Sequence, residues 1–148
     1  MSEIQSHAAF SVYVICAVIL VFKMILVGHY TGLRRIVLKT YLNPEDAKAF
    51  SQIEETQSQE DPEIDRGLRA HRNDLESTLP FLIMAPLYLL TQPSAAFASW
   101  LFIVFTGLRV VFSVFYLRAM QPWRSLTFLA AEVCLVVMLV QTLRGLAQ

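Results

Sequence analysis

Arg69, Arg72, Asn73 and Glu76 stand at i, i+3, i+4 and i+7, a spacing that sets two guanidinium groups, a carboxamide and a carboxylate on one face of a helix. A guanidinium grips a carboxylate at two points, and a carboxylate receives an ammonium group. The face therefore suits a small zwitterionic peptide with additional carboxylates. The same residues also suit interhelical salt bridges and membrane-edge anchors, and spacing alone leaves both readings open. Arg109 and Tyr116 are seven residues apart and share a helix face of their own. Arg124 and Ser125 open an apolar segment, where a helix N-terminus favours an anion. A free thiol, with a pKa near 8.5, is only a few per cent thiolate at neutral pH. Lowering that pKa by about two units takes about 2.7 kcal/mol, within reach of a guanidinium, a hydroxyl and a helix N-terminus acting together. The plainer role for Ser125 is N-capping.

These residues need rigid elements to hold them. The apolar run Leu79 to Leu90 behind the cluster Arg69 to Glu76 is shorter than the roughly 20 residues that cross a bilayer. If it spans, its helix begins among the charges, where ionisable groups are costly and usually functional. The chain has 148 residues, one domain by length, and is 55% hydrophobic, above the roughly 45–50% of soluble domains. The excess gathers in about Ala8 to Tyr30, Leu68 to Leu90, Ala95 to Leu117 and Leu126 to Leu143. The expectation is an all-α, multi-pass integral membrane four-helix bundle, a single domain over 1–148, with spans about 8–38, 64–91, 95–118 and 123–146 and a connection about 39–63. The start of the chain reads as a retained first span rather than a cleaved signal, since it lacks a positive n-region.

Charge adds orientation. The formal net charge is zero, so no nucleic acid is expected as partner. Arg34, Arg35, Lys39, Lys48, Arg66, Arg69 and Arg72 lie in or near the first connection, and Arg118 and Arg124 in or near the third. The positive-inside rule puts both connections in the cytoplasm, with Arg144 dissenting. Trp100 and Trp123 suit the interfaces. Lys23 requires a carboxylate on a neighbouring helix, with Asp74 or Glu76 as partner, and Glu132 requires a partner or a proton. Cys16 and Cys134 read as small apolar packing groups. Asn43-Pro44-Glu45-Asp46 and Asp61-Pro62-Glu63 have the form of helix starts. Gln57 to Asp61 reads as a flexible tip, and Pro80 and Pro86 as kinks.

Thr31-Gly32, Asn43-Pro44-Glu45-Asp46, Arg69-Ala70-His71-Arg72-Asn73-Asp74-Leu75-Glu76 with Pro80-Phe81, Arg109, Tyr116-Leu117 and Pro122-Trp123-Arg124-Ser125 together resemble the MAPEG family. These are membrane-associated proteins in eicosanoid and glutathione metabolism. The resemblance covers nearly the whole chain and implies a homotrimer with glutathione bound between subunits. By position it implies that Arg35, Arg69, Arg72, Asn73, Glu76, Arg109, Tyr116 and Phe128 belong to the glutathione site. Arg124 and Ser125 match the pair near the sulfur, and Asp46 matches an acid assigned to proton transfer in the prostaglandin-synthase branch. No metal is implied. That branch has a histidine in place of Phe112, a tyrosine in place of Phe128 and a glutamine in place of Glu132. Phe128 follows the glutathione-transferase branch, whereas Asp46 and His71-Arg72-Asn73 follow the synthase branch.

The resemblance thus implies a glutathione-dependent membrane enzyme of transferase or peroxidase type, acting on lipophilic electrophiles or peroxides that arrive from membrane lipid. The alternatives are an endoperoxide isomerase of the prostaglandin E synthase type and, from another class, a non-catalytic membrane adaptor for lipid-mediator synthesis. The expected location is the endoplasmic reticulum or perinuclear membrane in a eukaryote, or the inner membrane in a bacterium.

Overall fold

The computed structural model describes residues 3–50 and 59–147. Among these the fold is all-helical: α1 (Glu3–Ser6), α2 (Phe10–Leu38), α3 (Pro44–Phe50), α4 (Pro62–Leu90), α5 (Ala95–Leu117) and α6 (Trp123–Leu146). Of the expected tip at Gln57 to Asp61, Gln57 and Ser58 lie outside the described residues.

Local chemistry sets the helix ends. Asp61 caps α4 by accepting from the Glu63 N–H at 2.8 Å, with Pro62 following at the first helical position and Glu63 and Asp65 in the first turn. Pro44 begins α3. The helix of the first apolar segment runs on past the glycines to Leu38 and ends on Lys39 in the left-handed conformation. α4 continues through Pro80 and Pro86. Pro86 has no N–H to offer the Leu82 carbonyl one turn earlier, and the Tyr13 hydroxyl of α2 donates to that oxygen instead, at 3.2 Å.

The long helices pack as α2 on α4 and α5, α4 on α5 and α6, and α5 on α6. Their apolar core gathers Leu20, Phe81, Leu89, Phe102, Phe105 and Met138, with the rings of Phe81 and Phe105 stacked at 4.6 Å. Cys16 and Cys134 are buried and free, packed within this core. Outward, Val18, Phe22, Ile103, Leu129, Val136 and Leu143 are exposed apolar side chains, as expected of faces that meet lipid or another apolar surface. Among the described residues α2, α5 and α6 are long and apolar enough to cross a membrane. α4 is as long as α2 but carries the charged cluster in its first half, and so falls short by composition.

Candidate functional site

Beside the core lies a buried polar network. Lys23 of α2 donates to Asp74 of α4 at 2.7 Å and to Ser113 of α5 at 3.2 Å. Arg109 of α5 donates through one nitrogen to Asp74 at 2.9 Å, to the Asn73 backbone carbonyl at 3.0 Å and to the Asn73 carboxamide oxygen at 3.1 Å. Asp74 and Arg109 are fully buried. Asp74, the first of the two partners expected for Lys23, thus compensates both cations, while Glu76 is exposed and takes no part. Ser77 donates to Glu132 at 2.9 Å, which supplies that carboxylate with a partner.

Above this network, where α4, α5 and α6 meet, a cavity of about 230 Å³ is lined by Asn73, Phe112, Tyr116, Arg124, Ser125 and Phe128. Ser77 and Glu132 lie four residues further along α4 and α6 than Asn73 and Phe128, hence one turn deeper on the same faces. The Arg124 guanidinium stands over the Tyr116 ring at 4.7 Å, an attractive cation–π arrangement that holds the charge toward the cavity. Ser125 donates to the Gln121 carboxamide oxygen at 3.0 Å. Turned end for end, the same carboxamide donates to Ser125 at 3.0 Å and accepts from the Arg124 guanidinium at 2.5 and 3.1 Å, so it is able to serve both residues at once.

Two expectations about the start of α6 change. Ser125 is the third residue of the helix, and Pro122 occupies the N-cap, so Ser125 does not cap it. Nor are the first amides free for an anion. The Arg124 N–H bonds the Met120 carbonyl at 3.1 Å, and the Ser125 N–H bonds the Pro122 carbonyl at 3.0 Å. An anion placed here would meet the guanidinium and the hydroxyl instead of the backbone amides.

The structure brings Asn73, Tyr116, Arg124, Ser125 and Phe128 together from the expected set. Arg109 lies behind the cavity wall, bonded to Asn73 and Asp74, so it reaches the cavity only through Asn73. Arg69, Arg72 and Glu76 point outward from α4 and are exposed. Arg69 pairs with Asp65 one turn earlier. Arg35 pairs with Glu60 at 2.6 Å, and Asp46 lies on α3, where it accepts from Asn43 at 3.1 Å. Neither Arg35 nor Asp46 lines the cavity of its own chain.

Two residues at the cavity are not among the expected ligands, Phe112 being singled out only as a difference from the synthase branch. Phe112 lines the cavity with its ring 4.5 Å from the Arg109 guanidinium; its place between Arg109 and Tyr116 on one face was the available clue. Gln121 stands three and four residues before Arg124 and Ser125, a helical spacing that a residue preceding a proline does not advertise.

The MAPEG family model matches residues 13–144. Human prostaglandin E synthase is 37% identical over 144 residues, covering 96% of this chain and 93% of its own length. The rat prostaglandin E synthase is 39% identical over 110 residues, covering 74% of this chain and 71% of its own. Human microsomal glutathione S-transferase 1 is 34% identical over 131 residues, covering 86% of this chain and 84% of its own. With nearly the whole chain matched and its long apolar helices in place, this is a membrane protein, and it belongs to the MAPEG family.

Proposed function

We propose that this chain is a glutathione-dependent membrane enzyme that binds the tripeptide at the cavity between α4, α5 and α6 and activates its thiolate for attack on a lipophilic electrophile or peroxide. The observation that carries the reading is the convergence of Arg124, Ser125, Tyr116 and Asn73 on one cavity in a chain related to a glutathione S-transferase. At about 230 Å³ the cavity is smaller than the roughly 300–1,000 Å³ of a complete small-molecule site. The exposed Arg69, Arg72 and Glu76 on the adjoining face of α4 supply further charge for the tripeptide. A neighbouring copy supplies the remaining wall, in a homotrimer of four-helix membrane-spanning bundles. Arg35 and Asp46, which lie apart from the cavity of their own chain, are then candidates to complete a neighbour's site. The first and third connections face the cytoplasm, as their arginines and lysines favour.

In this reading Arg124 faces the sulfur and the Ser125 hydroxyl donates to it, supplying together the few kcal/mol that make the thiolate the major form at neutral pH. Phe112 and Phe128 leave that part of the cavity without a titratable group. A second reading, endoperoxide isomerisation of the prostaglandin E synthase type, rests on the 37% identity to the human synthase, and uses the same thiolate on a different acceptor.

The test is a glutathione titration of the detergent-solubilised protein, following thiolate absorbance in the ultraviolet at neutral pH. A saturable signal that Arg124→Ala abolishes is the expected result. Absence of both binding and thiolate in a folded protein would overturn the reading and favour an adaptor. Parallel assays with a chlorinated aromatic, a lipid hydroperoxide and an endoperoxide then assign the acceptor.

A further inference from the structure

Asn73 has one end of its carboxamide occupied and the other free. Arg109 crosses from α5 and donates to the Asn73 carboxamide oxygen at 3.1 Å as well as to its backbone carbonyl. A guanidinium carries only donors. The two ends of a carboxamide, hard to tell apart by shape, are here told apart by charge: the end that meets Arg109 is the oxygen. The amide nitrogen has no partner among the described residues, and Asn73 lines the cavity.

Arg109 reaches that oxygen through its one bonded nitrogen, Nε and Nη1 being buried without a partner among the described residues, so burial and its charge partner hold it in place. The same guanidinium nitrogen donates to Asp74, and Asp74 is held in turn by Lys23 at 2.7 Å and by the Ser113 hydroxyl at 3.4 Å. All four side chains are buried, and the Phe112 ring closes the cavity side of Arg109 at 4.5 Å. The clamp therefore draws on α2, α4 and α5, while the group it orients faces the site.

We propose that Arg109 is a positioning residue that fixes the polarity of Asn73, so that the carboxamide presents N–H donors alone to the cavity and selects a ligand acceptor atom there. The inference rests on the glutathione reading for the identity of the ligand. It adds which end of the ligand meets Asn73: a carboxylate, carbonyl or thiolate, and not the ammonium. Arg124, on the opposite wall, also offers only donors. The cavity thus holds the acceptor-rich part of the tripeptide, and the ammonium group lies outside it, toward Glu76 on the exposed face of α4.

The experiment is a calorimetric titration of glutathione into the solubilised full-length protein, its Asn73→Ala variant and its Asn73→Asp variant. Aspartate keeps the shape and the acceptor that Arg109 requires, but turns the cavity-facing donor into a second acceptor. The expected order of affinity is wild type, then Asn73→Ala, then Asn73→Asp, the last about tenfold weaker than alanine or more. Asn73→Asp equal to Asn73→Ala would show that no ligand acceptor faces the residue, and tighter binding by Asn73→Asp would show that the contact reads the ammonium; either outcome overturns the inference. Arg109→Lys tests the clamp, because it keeps the charge beside Asp74 but loses the planar guanidinium whose single bonded nitrogen reaches Asp74 and Asn73 together. It should raise KM for glutathione about tenfold with kcat within about twofold. Added to Asn73→Asp it should cost little more affinity, since the orientation it controls no longer matters. Fully additive losses would overturn the positioning role, and should Arg109→Lys fail to fold, the Asn73 pair decides alone. A wild type that does not bind glutathione removes the parent reading together with this one. A binding wild type with the wrong variant order removes this one only.

Discussion

Asn73 and Asp74 are adjacent on α4, yet they belong to two differently built regions. One residue turns a helix by about 100°, which carries Asp74 into the buried network and leaves Arg69, Arg72 and Glu76 on the outside. The inner region is compensated in charge within the chain: one carboxylate meets Lys23, Arg109 and Ser113, although Nε and Nη1 of Arg109 are buried without a partner among the described residues. The outer region is not. Arg72 and Glu76 are exposed and have no partner among the described residues, and Arg69 has only a local pair with Asp65. A charge matched from three helices holds a fold together, whereas a charge left unmatched at the surface is available to a ligand or to another copy.

Four substitutions break or sharpen this contrast, and the inner face should respond most. Asp74→Ala leaves two buried cations uncompensated and should destabilise the protein by about 3–5 kcal/mol, seen as a large fall in the thermal unfolding midpoint. A midpoint near that of the wild type would show that the network does not support the fold. On the outer face, Glu76→Gln should leave the midpoint within about 0.5 kcal/mol of the wild type while weakening glutathione binding by up to about 1 kcal/mol, the scale of an exposed ion pair. A stability loss without an affinity loss would place Glu76 with the inner region after all. Tyr13→Phe removes the hydroxyl that serves the Leu82 carbonyl, and about 1 kcal/mol of stability should go with it, glutathione affinity staying unchanged. The smallest effect belongs to the turn between α5 and α6, where Ala119 has φ 56°. Ala119→Gly should relieve up to about 1 kcal/mol of left-handed strain, read as a slightly raised midpoint.

What was legible in the sequence followed from local rules and from charge cost. A lysine in an apolar segment requires a carboxylate, and Asp74 supplies it. Asp61-Pro62 and Asn43-Pro44 mark helix starts because a first turn has spare donors and tolerates proline. Spacing was weaker, since it assigns a face but not what the face meets. Arg109 and Tyr116 do share one side of α5, but Arg109 lies at the depth of Asp74, and Tyr116 two turns on reaches the cavity. The start of α6 misled for a similar reason. Arg-Ser after Pro-Trp suggested a cap and free amides, whereas the chain before it, Met120 to Pro122, supplies carbonyls that take those amides. Gln121 escaped notice because its task depends on a turn geometry that no residue pattern announces.

Gly145, near the far end of α6, has no room for a side chain: a β-carbon there would meet the Thr91 β-carbon at 2.6 Å. α6 is therefore seated backbone-first on the turn between α4 and α5, about 30 Å along the helix from Arg124 at 1.5 Å per residue. Were α6 to shift as a rigid rod about that seat, its far tip would carry the guanidinium with it. A tilt of about 2° moves the tip by about 1 Å, a displacement that in an active site is worth up to about a hundredfold in rate. A methyl group added at residue 145 would in that case be felt as mis-aimed charge at the far end of α6, with every residue of the cavity still present.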